Sequence, residues 1–202
     1  MYYKSMSARE RLVESMRELL WERGYVGTSP KAILHRAAAG QGSMYHHFAG
    51  KADLAHAAIE RTAQEMQDLA EAELAIPGTA VERIARYLRR ERDVLRGCPI
   101  GGLTQDPDVM ANPALRAPVE RTLTWLRVRL ADVIADGRRH DELDAAMDPL
   151  ATAATIVAVL QGGYVLARAA GTTDPFDEAI DGILALLGAH TVSDPHSVGE
   201  SG

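Results

Sequence analysis

Between Thr28 and Leu54 the chain reads TSPKAILHRAAAGQGSMYHHFAGKADL, and several side chains there suit nucleic-acid chemistry. Gln41 can make two hydrogen bonds to one adenine edge, and Ser43, two residues on, can reach several base edges. Gly42 between them has no side chain and lets a duplex come close. Thr28, Ser29 and Lys31 open a short helical stretch, where free N–H groups and the positive end of the helix dipole favour phosphate oxygens. These residues act together only if two short helices and a tight turn hold them. That is the geometry of a helix-turn-helix, whose second helix enters the DNA major groove.

The surrounding sequence supplies those elements. Ser7 and Glu10 form a capping box, and Leu12, Met16, Leu19 and Leu20 recur at helical spacing until Gly24. Thr28 or Ser29 caps the next helix, with Pro30 in its first turn and Ile33, Leu34 and Ala37 on its inner face. Ala38-Ala39-Gly40 makes the turn, with Gly40 supplying its flexibility, and Gln41 to His47 forms the second short helix. A long helix from Lys51, through Leu54, Ala58, Ile59, Met66 and Leu69, stops before Pro77-Gly78. Another starts at Thr79, with Val81, Ile84, Leu88 and Leu95 inside, and breaks at Gly97-Cys98-Pro99. After a short helix around Leu103 and a Pro-punctuated connector from Asp106 to Pro113, long helices follow over 114–136, from Asp148-Pro149 to about Ala169, and from Asp174-Pro175. No alternating strand pattern is present, so the expected fold is all-α. It divides into a helix-turn-helix domain over 1–53, a larger helical domain over 54–190, and a polar tail over 191–202 expected to be disordered.

Charge sharpens the reading. The 202 residues carry a net −6, yet residues 1–51 hold eight Lys and Arg against four Glu, a net of +4, and the rest of the chain carries −10. A positive end on an acidic body fits one end meeting phosphates. The apolar stretch Leu150–Ala170 is interrupted by Thr152, Thr155, Gln161 and Arg168, which favours a buried helix over a membrane span. Lone Cys98 has no internal disulfide partner, in keeping with a reducing cytoplasm. Catalytic patterns are missing: no Ser/His/Asp or Cys/His arrangement at known spacing, no phosphate loop and no HExxH. Adjacent His46 and His47 point about 100° apart on a helix, which disfavours a shared metal. No enzyme activity, cofactor or metal is expected.

Gly24-Tyr25, Thr28-Ser29, Ile33, Gly42-Ser43-Met44-Tyr45-His46-His47-Phe48, Lys51 and Leu54 together resemble the tetracycline-repressor (TetR) family of one-component regulators. The break Gly97-Cys98-Pro99, Gly101-Gly102-Leu103 and the later Gln161-Gly162-Gly163 resemble its LmrA/YxaF-like branch. Family members commonly have Gly, an aliphatic residue and Ser or Thr in the turn, where this chain has Ala38, Ala39 and Gly40. The resemblance implies that Tyr45, His46, His47 and Lys51 contact phosphates and that Phe48 plugs the small core. It implies a homodimer through the last two long helices, sitting on near-palindromic double-stranded operator DNA. Ala151, Ala154, Ala158 and Val159 would allow close approach at that seam, with Phe176, Ile180, Ile183 and Leu187 adding apolar area. A small apolar or amphipathic effector would bind among Tyr87, Leu103, Met110, Trp125, Leu126, Arg129, Gln161 and Tyr164 and release the repressor. Two other readings stay open: a thiol redox sensor acting through Cys98, and a non-catalytic helical adaptor.

Overall fold

A computed structural model describes residues 6–191. Among them nine α-helices and one 3-10 helix form, and no strand is present. They are α1 (Ala8–Arg23), α2 (Pro30–Arg36), α3 (Gln41–His47), α4 (Lys51–Leu74), α5 (Ala80–Arg89), a 3-10 helix (Gly101–Gln105), α6 (Pro107–Ala111), α7 (Pro113–Arg139), α8 (Pro149–Ala170) and α9 (Asp174–Gly188). By compactness the chain divides into one unit of residues 1–69 with 93–125 and another of 70–92 with 126–202. Each unit is assembled from segments distant in sequence. Of the tail, Thr191 pairs with Leu143 in an isolated backbone bridge, and 192–202 lie outside the described residues.

In the first unit, Ser7 and Glu10 close the capping box of α1 with both reciprocal bonds. Leu12, Val13, Met16, Leu19 and Leu20 bury one face of that helix, joined by Ile33 of α2, Met44 of α3, and Leu54 and Ile59 of α4. Full burial of each such side chain contributes about 1.5–3 kcal/mol, enough to hold two seven-residue helices that would not form alone. The Asp106-Pro107 pair nucleates α6, a helix the sequence reading treated as connector.

In the second unit, α8 and α9 pack through Ala153, Ile156, Leu160 and Ala167 against Phe176, Ile180, Ile183 and Leu187. Gly163 lets this happen: a Cβ there would stand 3.0 Å from Cδ2 of Phe176. The four apolar residues of α9 expected at a dimer seam are therefore consumed within the chain. Leu95 was expected inside α5, but the helix ends at Arg89 and Leu95 is exposed. The chain leaves the helix at Arg90 (ψ 151°), and the Arg92 guanidinium caps that end by donating to the carbonyls of Tyr87 and Arg90.

Candidate nucleic-acid interface

The reading surface begins with the loop between α1 and α2. Gly24 leaves α1 at φ 70°, and Thr28 folds its hydroxyl back to donate to the Gly24 carbonyl at 2.7 Å. Thr28 is only 1% exposed, so its side chain faces the fold and not a phosphate. Ser29 caps α2 by accepting from the Ala32 N–H, with Pro30 next to it, and Lys31 stands exposed one residue on.

In the turn, the left-handed conformation falls on Ala38 (φ 46°), while Gly40 is extended (φ −77°). Gly40 thus does not supply the flexibility expected of it. It caps α3 without a side-chain bond, and Arg11 of α1 fixes the turn by donating to the Ala37 carbonyl at 3.1 Å. On α3, Met44 and the following Phe48 are buried, whereas Gln41, Gly42, Tyr45, His46 and His47 are exposed and Ser43 is half-buried. Tyr45, 55% exposed, is no core aromatic. Among the described residues no side chain or remote backbone atom lies within 4 Å of where a Cβ on Gly42 would stand, so no packing calls for glycine there. Between α2 and α3 lies an open concavity of about 560 Å³ bounded by Lys31, Leu34, His35, Gln41, Met44 and Tyr45.

The cations are less free than their count suggests. Arg36 makes paired bonds of 2.7 and 2.8 Å to Glu22, holding that carboxyl below its usual pKa. Arg17 is tied to Glu14 and Glu65. Lys51 donates to the Tyr25 carbonyl at 2.6 Å and sits 3.8 Å over the Tyr25 ring, and burial pushes its pKa down against the pull of Asp106 and Asp108. Its ammonium is turned into the fold. Rings of His46 and His47 meet edge to face at 4.8 Å, and among the described residues no three His, Cys, Asp or Glu side chains gather as a metal site.

Asp106 was missed by the sequence reading. One oxygen of its carboxylate accepts from the N–H groups of Tyr25 (2.7 Å) and Val26 (2.9 Å), the other from Asp108 (3.1 Å) and Val109 (3.2 Å). The signal was present in Asp-Pro, a helix cap before a first-turn proline, but its second partner lies some eighty residues away.

The eight residues expected around an effector fall in both units. Leu103, Met110 and Trp125 belong to the first, Leu103 buried and the others half-buried. Tyr87, Leu126, Arg129, Gln161 and Tyr164 belong to the second, where Tyr87, Leu126 and Tyr164 are buried. There Arg92 joins two of them, donating to the Tyr87 carbonyl and the Tyr164 hydroxyl. Arg129 is engaged by Glu71 at 2.6 and 2.9 Å, a pairing that lowers the Glu71 pKa and raises that of Arg129. Cys98 is buried and accepts the Gly101 N–H, and Arg96, its nearest cation in sequence, is bonded to Glu18 and stacked 3.7 Å over Trp21.

Comparison with known proteins agrees with this geometry. Residues 12–58 match the family model described as bacterial regulatory proteins, tetR family, and residues 78–183 match tetracyclin repressor-like, C-terminal domain. The transcriptional regulator AcuR of Cereibacter sphaeroides is 30% identical over 180 residues, 83% of this chain and 80% of that protein. The transcriptional repressor NemR of Escherichia coli is 22% identical over 191 residues, 91% of this chain and 96% of that one. A solved TetR regulatory protein from Rhodobacter sphaeroides superposes with TM-score 0.78 at 27% identity, covering 92% of this chain and 99% of its own.

Proposed function

Because the chain belongs to the TetR family of DNA-binding transcriptional regulators, we propose that it is a cytoplasmic repressor released from its operator by a small apolar or amphipathic effector. The observation that carries the reading is the solvent-facing surface of α3. On this reading Gln41 and Ser43 meet base edges, Tyr45, His46 and His47 meet phosphates beside them, and Ser29 and Lys31 add phosphate contacts from α2; the exposure of all but half-buried Ser43 supports it. Lys51 supports this surface from behind through Tyr25. Repression rather than activation follows the E. coli relative that is named a repressor.

One reading helix covers few base pairs, so the active form is a homodimer on a near-palindromic site, with half-sites about 34–36 Å apart or a multiple of this. The seam we assign runs along α8, where Ala151, Thr155, Ala158, Gly162, Val165 and Ala169 recur at alternating four- and three-residue steps. All but half-buried Gly162 are exposed, with Val165 67% exposed, and exposed Gly182 and Ala185 of α9 are small as well. Small side chains let helices approach closely, and the 3.5-residue repeat is that of a coiled-coil seam. Whatever its site, the effector must favour the DNA-incompetent state by its differential affinity.

Fluorescence anisotropy on the DNA upstream of the chain's own gene, against scrambled DNA and across a salt series, tests the reading. Selective binding with a steep salt slope supports it, and titrating small apolar molecules into that complex then identifies the effector. Selective binding that no candidate molecule weakens would count against the effector-released repressor.

A further inference from the structure

Asp106 is a buried carboxylate that accepts four backbone N–H groups from two places in the chain. One pair belongs to the first turn of α6, whose cap it is. The other belongs to Tyr25 and Val26, four and three residues before Ser29, the cap of α2. Charge-assisted bonds of this kind are about twice as strong as neutral ones. The loop they hold is pinned at two further points, by Lys51 on the Tyr25 carbonyl and by Thr28 on that of Gly24. Gly24 makes room for the arrangement: a Cβ there would stand 2.7 Å from Oδ2 of Asp106, at a φ of 70° that side chains rarely adopt.

We propose that Asp106 is a positioning residue for DNA recognition, a latch by which the segment between α5 and α7 fixes the α1–α2 loop and, through it, the placement of α2 and α3 on the operator. The same segment grips α1 a second time, since the Trp21 indole donates to the Gly97 carbonyl at 2.9 Å and Arg96 bonds Glu18. The two grips differ in what they hold. Trp21 and Glu18 lie within the regular turns of α1, whereas Tyr25 and Val26 lie in the loop whose course sets where α2 begins. A shift of α6 that withdrew Oδ2 would free that loop while leaving α1 intact. This inference rests on the DNA-binding reading of α3, and it gives the non-reading residues 93–111 a part in operator choice.

Asp106→Ser separates the two functions of the carboxylate. A serine hydroxyl still caps α6, because Ser is as good a cap as Asp, but it cannot also reach Tyr25 and Val26. The substitution removes one negative charge, which by electrostatics alone would tighten binding to any DNA. The expected result runs the other way for the operator. Affinity for operator falls at least tenfold at 10 °C, where circular dichroism shows the variant folded, while affinity for scrambled DNA holds or rises. The ratio of the two therefore falls at least tenfold. Gly24→Ala, which pushes on the same oxygen, is expected to lower the ratio similarly, and the double variant to fall less than the product of the two. Should Asp106→Ser not fold, Gly24→Ala carries the test alone. An unchanged operator-to-scrambled ratio in a folded variant overturns the latch and leaves Asp106 a purely structural cap. Wild-type protein that does not distinguish operator from scrambled DNA would instead overturn the DNA-reading assignment on which the latch rests.

Discussion

Ala38 holds a left-handed backbone with its methyl group in solvent. That conformation costs an L-residue about 1–2 kcal/mol and costs glycine nothing comparable. Since no packing is lost, Ala38→Gly is expected to stabilise the folded chain by about 1 kcal/mol in urea unfolding, after the greater entropy of the unfolded glycine is counted. Two side chains on the reading face should separate by what they read. Gln41→Ala is expected to lose about 1–3 kcal/mol of discrimination at one operator position. Lys31→Ala should instead weaken binding to all sequences and reduce the salt slope by about one. A competition assay across single-base operator variants and three salt concentrations distinguishes them. At this scale the chain was legible where function sits on local chemistry. The Ser29 cap and the exposure of Gln41, Tyr45, His46 and His47 around buried Met44 follow from nearest neighbours. Thr28 was misjudged because two adjacent hydroxyls compete for one cap, and the loser turned inward to Gly24. Asp106 escaped notice because half of its bonding partners are distant in sequence.

Helices were legible from apolar spacing, but their faces only in part. Spacing alone cannot tell an apolar residue bound for the core from one left at the surface, and Leu69 and Leu95 both ended exposed. The end of α5 is capped by the Arg92 guanidinium, a contact no periodicity reveals. For α8 and α9 the error was one of allocation. The large residues of α9 fill the core between the two helices, and the small residues of α8 are left outside. That allocation is testable. Ala158→Arg places a long charged side chain where the protomer has open solvent, so the protomer should fold. The variant is expected to sediment as a monomer and to lose at least tenfold in operator affinity. A dimer unaffected by the substitution would move the seam elsewhere.

Over the whole molecule, ion pairs tie the stability to acid. Asp136, bonded to Arg83, and Glu71, bonded to Arg129, both have pKa values lowered by those bonds. A carboxyl whose folded pKa lies below its unfolded value adds stability above the unfolded value and loses it as pH falls through the folded one. Glu71→Gln is therefore expected to lower the urea midpoint at pH 7, with the difference from wild type closing as the medium is acidified below pH 4.5. Both carboxyls are well exposed, so the effect is small and shrinks further in salt. The apolar character of α8 reaches further. The helix is long and apolar enough to cross a membrane, yet only about a third of its apolar stretch is buried in its own chain. With the seam proposed along α8, a protomer without a partner would display an apolar face of the kind chaperones and proteases recognise, and its lifetime is expected to depend on its own abundance. Pulse-chase half-lives at graded expression should lengthen steeply over a narrow range, and a half-life indifferent to expression would refute the idea.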